Sequence, residues 1–108
     1  MTTDYVSQKR AELGDRLEEI LGSSNVYFEP PETVKLNYPC IIYERSAGDT
    51  IFANNKPYRF KVRYTVTAIS RKADNPVVGA LAMSLPSIQY DRHFVSDNLH
   101  HDVFEVYY

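Results

Sequence analysis

The chain has 108 residues, of which 44% are apolar and 24% charged, with a formal net charge of −2. That is one domain's length of chain, residues 1–108, with enough apolar material for a core, which excludes a disordered polymer. A charge this near zero excludes bulk electrostatic attraction to nucleic acid or to an anionic membrane as the chief mode of binding.

Residues 4–21 read as an amphipathic helix. Val6, Leu13, Leu17, Ile20 and Leu21 fall on one broad face, interrupted by Arg10, and most of the charged residues fall on the other. Thr3 or Asp4 is placed to cap its start through a side-chain oxygen, and Gly22 to end it in the left-handed conformation. Val26, Tyr27 and Phe28 suggest a short strand, stopped by Pro30 and Pro31, which cannot donate to a ladder.

Tyr38-Pro39 opens an element in which Cys40, Ile41, Ile42 and Tyr43 are apolar on both faces, as in an interior strand. Residues 46–57 carry the turn formers Gly48, Asp49, Asn54, Asn55 and Pro57 and read as a polar loop, too long for a tight hairpin. Ile51 and Phe52 are large apolar exceptions inside it, so they either tuck onto the domain or meet a partner. Residues 58–70 then alternate: Phe60, Val62, Tyr64, Val66 and Ala68 on one side, Arg59, Lys61, Arg63, Thr65 and Thr67 on the other. A period of two is the mark of a half-buried strand.

Asp74 or Asn75 is placed to cap a second helix with Pro76 in its first turn and Val77, Val78, Leu81, Ala82 and Leu85 on its apolar face. Residues 87–96 and 99–108 read as two strands joined at Asp97-Asn98, a pair suited to a two-residue turn. That register sets Tyr90 opposite Glu105, Arg92 opposite Val103 and His93 opposite Asp102. The fold class that follows is α+β: a mostly antiparallel mixed sheet of four to five strands with two helices packed on one face. Both faces of the last hairpin mix apolar and charged residues, which suggests another subunit against the open side.

Chemistry is sparsely represented. Cys40 is the single cysteine, so no internal disulfide forms, and its apolar setting reads as a buried small hydrophobe. His100 and His101 are adjacent on a strand and point to opposite faces, so they do not share one metal. His93 opposite Asp102 is an imidazole–carboxylate pair with no nucleophile near it in sequence. No phosphate loop, dinucleotide fingerprint or zinc motif is present. No catalytic residue, metal ligand or cofactor is expected, and the chain is not expected to be an enzyme. No apolar run approaches the ~18 residues of a membrane span, and the polar N-terminus lacks a signal core, so the chain is expected to be made in the cytosol.

Two groups stand out as contact surfaces. Arg59, Lys61 and Arg63 align on one strand face, and Arg45 on the preceding strand is placed to join them as a surface that meets acidic groups, on another protein or on passing DNA. Its bland alternative is a solvated face that blunts edge aggregation. The segment holding Asp49, Thr50, Ile51, Phe52, Asn54, Asn55 and Lys56 is the candidate partner loop.

Several phrases, taken in order, resemble the tail terminator (tail-completion) proteins of long-tailed bacteriophages: Tyr38-Pro39-Cys40-Ile41-Ile42-Tyr43, Asn54-Asn55-Lys56-Pro57-Tyr58, Arg63-Tyr64-Thr65-Val66-Thr67, and Tyr90-Asp91-Arg92 leading to Asp97-Asn98-Leu99-His100-His101. The resemblance implies a virion protein, assembled in the host cytoplasm, whose homo-oligomeric ring, usually a hexamer, caps the tail tube. Its implied partners are the major tail tube protein and a head-closure or connector protein, with genomic DNA passing through the ring without specific binding. A head-closure or head-to-tail adaptor ring of the phage neck is the nearest alternative. A small enzyme using His93 and Asp102, or a ligand-binding α+β domain of the toxin–antitoxin kind, stands further off.

Overall fold

The computed structural model describes residues 4–108, without the side chains of residues 49, 51–53 and 56–59. Two helices lie against a five-stranded mixed sheet, an α+β fold. The elements are α1 (Tyr5–Leu21), β1 (Val26–Phe28), β2 (Cys40–Ala53), β3 (Lys56–Ser70), α2 (Pro76–Ser84), β4 (Gln89–Ser96) and β5 (Leu99–Tyr107). The sheet order is β1-β2-β3-β5-β4, antiparallel except for the parallel β1–β2 pair. The peptide bond Tyr38-Pro39 at the entrance to β2 is cis.

The core forms where the helical and strand periodicities meet. Leu13 and Leu17 of α1 and Val77, Leu81 and Leu85 around α2 pack on Ile41, Tyr43, Val62, Tyr64, Val66, Phe104 and Val106. Gly14 lets α1 approach the sheet, since a Cβ there would lie 2.6 Å from the Tyr43 hydroxyl. Arg10, the charged interruption of the α1 face, lays its guanidinium 4.7 Å from the centre of the Phe28 ring. Ala82, assigned by its spacing to the buried face of α2, is exposed.

The helix ends follow their capping chemistry, with one exception. Gly22 takes φ 80° and donates its N–H to the Glu18 carbonyl, and the Asn75 Oδ1 accepts from the Val77 N–H at 3.1 Å. Asp4 holds the N-cap position of α1 without capping through its carboxylate, which accepts from the Ser7 hydroxyl at 3.3 Å. Thr3, the alternative cap, lies outside the described residues.

Residues 46–57 are not a loop. β2 and β3 continue as strands to Ala53 and Lys56 and close through Asn54 and Asn55, with φ 54° and 62°. Positive φ at both central positions is the type I′ requirement, which asparagine tolerates. Bulges at Ser46 and Tyr58 keep the long ladder in register; each strand carries one extra residue against its partner there. β5 pairs with β3 only over residues 63–70, and β1 with β2 only over residues 41–43. Among the described residues no third strand joins the far end of the hairpin. The result is a two-stranded arm of roughly 20 Å, six residues a side at ~3.3 Å each, on a molecule measuring 50 × 30 × 23 Å.

The second hairpin turns at Asp97 and Asn98, with φ 52° and 61°. Arg92 faces Val103 and His93 faces Asp102, as the alternation implied. Tyr90 instead faces Phe104, because Asp91 is the extra residue of a bulge. Asn98→Ala forces a Cβ-bearing residue without a helpful side chain into the left-handed region, at a cost of about 1–2 kcal/mol. Urea unfolding is expected to show that loss, and Asn98→Gly to show none of it.

Candidate functional site

The arm is the first candidate. Its tip residues Asn54 and Asn55 and its flank residue Thr50 are exposed. The side chains of Asp49, Ile51, Phe52, Lys56 and Arg59 lie outside the described residues, so the anchor role assigned to Ile51 and Phe52 does too. At the base of the arm Phe60 is 44% exposed, although it shares its side of the strand with core residues. Its ring lies across Gly48, where an added Cβ would sit 2.9 Å from Phe60 Cζ. An aromatic ring over a strand glycine replaces the missing cross-strand partner. Phe60 also joins Tyr5, Lys61, Ser87, Tyr107 and Tyr108 around an open cleft of about 310 Å³. Alternation alone hid this aromatic group: it assigned Phe60 to the core, and nothing in the linear pattern shows that β3 outruns its cover.

The basic stripe is only partly a stripe. Lys61 Nζ lies 5.6 Å from the centre of the Tyr107 ring. Arg63 Nε sits 3.7 Å from Glu105 Oε2 and donates to the Ser46 hydroxyl, while Thr65 donates to Glu105 Oε1 at 3.0 Å. Glu105, on the neighbouring strand, therefore offsets Arg63. Arg45 does not extend the row. It faces Tyr64 and lines a small cavity with Val6, Arg10, Phe28 and Glu29, on the helix-covered side. The bulge at Ser46 separates its orientation from that of Ala47, which faces Arg63.

The second candidate is polar and lies at the other edge of the sheet. Asp102 is only 5% exposed. Its Oδ1 accepts from the Tyr90 hydroxyl at 2.7 Å and lies 2.8 Å from His93 Nδ1. The bulge at Asp91 builds this group by turning Tyr90 to the same face as Asp102. The hydrogen bond to Asp102 raises the Tyr90 pKa. The other His93 nitrogen, Nε2, meets His100 Nδ1 at 3.3 Å. His101 points to the opposite face and stacks on Phe94 at 4.5 Å. Asp102 also borders an open cleft of about 460 Å³ at the start of α2, with Ala73, Asp74, Asn75, Pro76, Val78 and Gly79. His93 Nε2 thus faces another imidazole, not a hydroxyl or thiol, and lacks the nucleophile a hydrolytic pair needs. Among the described residues no three His, Cys, Asp or Glu side chains are grouped to hold a metal ion.

Cys40 is 1% exposed, and burial pushes its thiol from the ordinary 9.0 up to about 11. The native thiol is expected to resist alkylation at pH 8, with labelling only as fast as the protein opens. The folded pKa is the raised one, so the stabilisation is intact below pH 9 and is lost as pH climbs through about 11. Comparing alkaline unfolding of the parent with Cys40→Ala checks the sign: the parent falls more steeply across that window.

No protein-family model matches the chain, and no curated protein is significantly similar to it.

Proposed function

We propose that this chain is a structural subunit of a long-tailed phage, forming a ring that caps the tail tube, stops its growth and offers the joining surface to the head. The observation that carries the reading is the two-stranded arm that extends past the rest of the sheet. An isolated two-stranded hairpin is marginal in water, and a partner surface gives such an element its stability. The aromatic cleft at its base, with Tyr5 54% exposed, has the composition of an interface anchor.

A ring needs two unlike patches on each subunit, because heterologous contacts close on themselves. The arm is one. The edge strand β4 is the other: all eight of its residues are exposed, Tyr90, Phe94 and Val95 among them. The ordered phrases shared with tail terminators point the same way. Arg63, offset by Glu105, and the net charge of −2 suit a lumen that lets DNA pass without holding it.

Light scattering of the chain, alone and mixed with the tail tube protein of the same genome, tests the reading. Discrete rings, or tubes carrying a ring, are the expected result. A monomer that ignores tubes but binds the connector would transfer the role to a head-side adaptor.

A further inference from the structure

The polar cluster at the β4–β5 edge shares Tyr90 and His93 with the strand assigned to ring closure, and its geometry points to a further task. We propose that His93 and His100 form a binding site for a divalent transition cation of the zinc class, with Asp102 as the residue that positions His93.

The two histidines sit diagonally across the Asp97-Asn98 hairpin, since His93 pairs with Asp102 and His100 with Val95. Diagonal neighbours on one face are within reach of long or aromatic side chains. Their facing nitrogens, His93 Nε2 and His100 Nδ1, are 3.3 Å apart. A tetrahedral ion with metal–nitrogen bonds of ~2.0–2.1 Å holds two ligand nitrogens about 3.3–3.4 Å apart. The spacing is that of a chelate edge: His93 stays held by Asp102, and the His100 ring needs only to swing so that its Nδ1 lone pair meets the ion off the line between the two nitrogens.

The tautomers favour the same use. Asp102 takes the Nδ1–H of His93, which leaves the lone pair of His93 on Nε2, facing His100. A carboxylate holding the outer N–H of a ligand histidine fixes the ring and raises its basicity. Asp102 is in turn held by the Tyr90 hydroxyl, so the ligand has a supported partner. His100 moves its proton from Nδ1 to Nε2 when the ion takes its place, with no net change in protonation.

The cation belongs to the borderline class, because imidazole is the ligand type that suits zinc, copper and nickel, while calcium and magnesium ask for oxygen. The protein supplies two ligands and solvent completes the shell. His93 is 38% exposed, so the ion has an open approach.

Zinc titration of tag-free protein, by calorimetry and by imidazole nitrogen NMR, decides the matter. Expected is saturable binding of one ion per chain, with the His93 Nε2 and His100 Nδ1 resonances shifting together. His93→Ala and His100→Ala should each weaken binding at least tenfold. His101→Gln, on the opposite face, should leave it unchanged. Asp102→Asn should weaken it about 10–100-fold, the size of a lost outer-shell partner, and should alter the His93 tautomer seen in the apo spectrum. Absence of saturable binding, or binding that survives His100→Ala intact, overturns the proposal. His93 is exposed and His100 half-buried, and unchanged amide spectra of their alanine variants establish that any loss is not unfolding.

Discussion

Shortening the arm is expected to abolish tube capping and leave a folded monomer. The replacement joins Gly48 to Val62 through Asn-Gly, removing residues 49–61. Gly48 and Val62 are a paired position in the ladder, so the new two-residue turn closes a shorter hairpin in the same register. Val62 is 1% exposed and stays, so the core keeps its contacts. What goes is the part of β2 and β3 that no third strand supports, together with Phe60. The expected thermal midpoint lies within a few degrees of the parent, or above it, since the arm's described residues Thr50, Asn54, Asn55 and Phe60 are exposed. The expected change in function is complete. Full capping by the shortened chain would overturn the proposal that the arm is the tube-contacting element.

Phe104→Ala is expected to be the most damaging single core substitution. Phe104 is fully buried on β5, flanked by Val66 of β3 and Tyr90 of β4. Its ring meets that of Tyr90 edge to face at 5.1 Å, an arrangement worth about 0.5–1.5 kcal/mol beyond area burial. Deleting a buried phenylalanine ring costs about 3–5 kcal/mol in transfer and cavity terms. A domain has only about 5–15 kcal/mol to lose. Urea unfolding should show a loss in that range with an unchanged slope. A loss below about 1 kcal/mol would mean that the surrounding side chains collapse into the space, in the manner that makes such costs site-dependent.

The parts of the fold that were legible in the linear chain are those whose pattern has one physical solution. The alternation from Phe60 to Ala68 admits only a half-buried strand, and Val62, Tyr64, Val66 and Ala68 are buried. Gly22 and Asn75 sit where helix ends need them. Asp97-Asn98 makes a tight turn and brings His93 to Asp102. The many turn formers in residues 46–57 suggest a loop, but their number does not decide where the chain turns. Gly48 and Asp49 lie within a strand, where Phe60 covers the glycine, and only Asn54-Asn55 turns. Strand neighbours are a tertiary property, so no local signal shows that β5 stops at the level of Arg63.

The geometry around the basic row and around Asp102 departs from strict alternation for the same kind of reason. Bulges are invisible to a strict period of two. The bulge at Ser46 takes Arg45 out of line with Lys61 and Arg63, and the one at Asp91 carries Tyr90 to Asp102 in place of Glu105. Direct cross-strand pairing sets His93 against Asp102 and His100 against Val95, so it does not bring the two histidines together. The diagonal, set by the turn between them, is the signal that finds them.

The most direct measurement is the length of tail tubes in negative-stain electron microscopy, with tube protein polymerised at increasing ratios of this chain. A terminating ring makes the mean length fall as the ratio rises, with a ring of density at one end of each arrested tube, and the arm-shortened chain has no effect. Tubes of one length at every ratio, with the intact chain left as free monomer, would contradict the account.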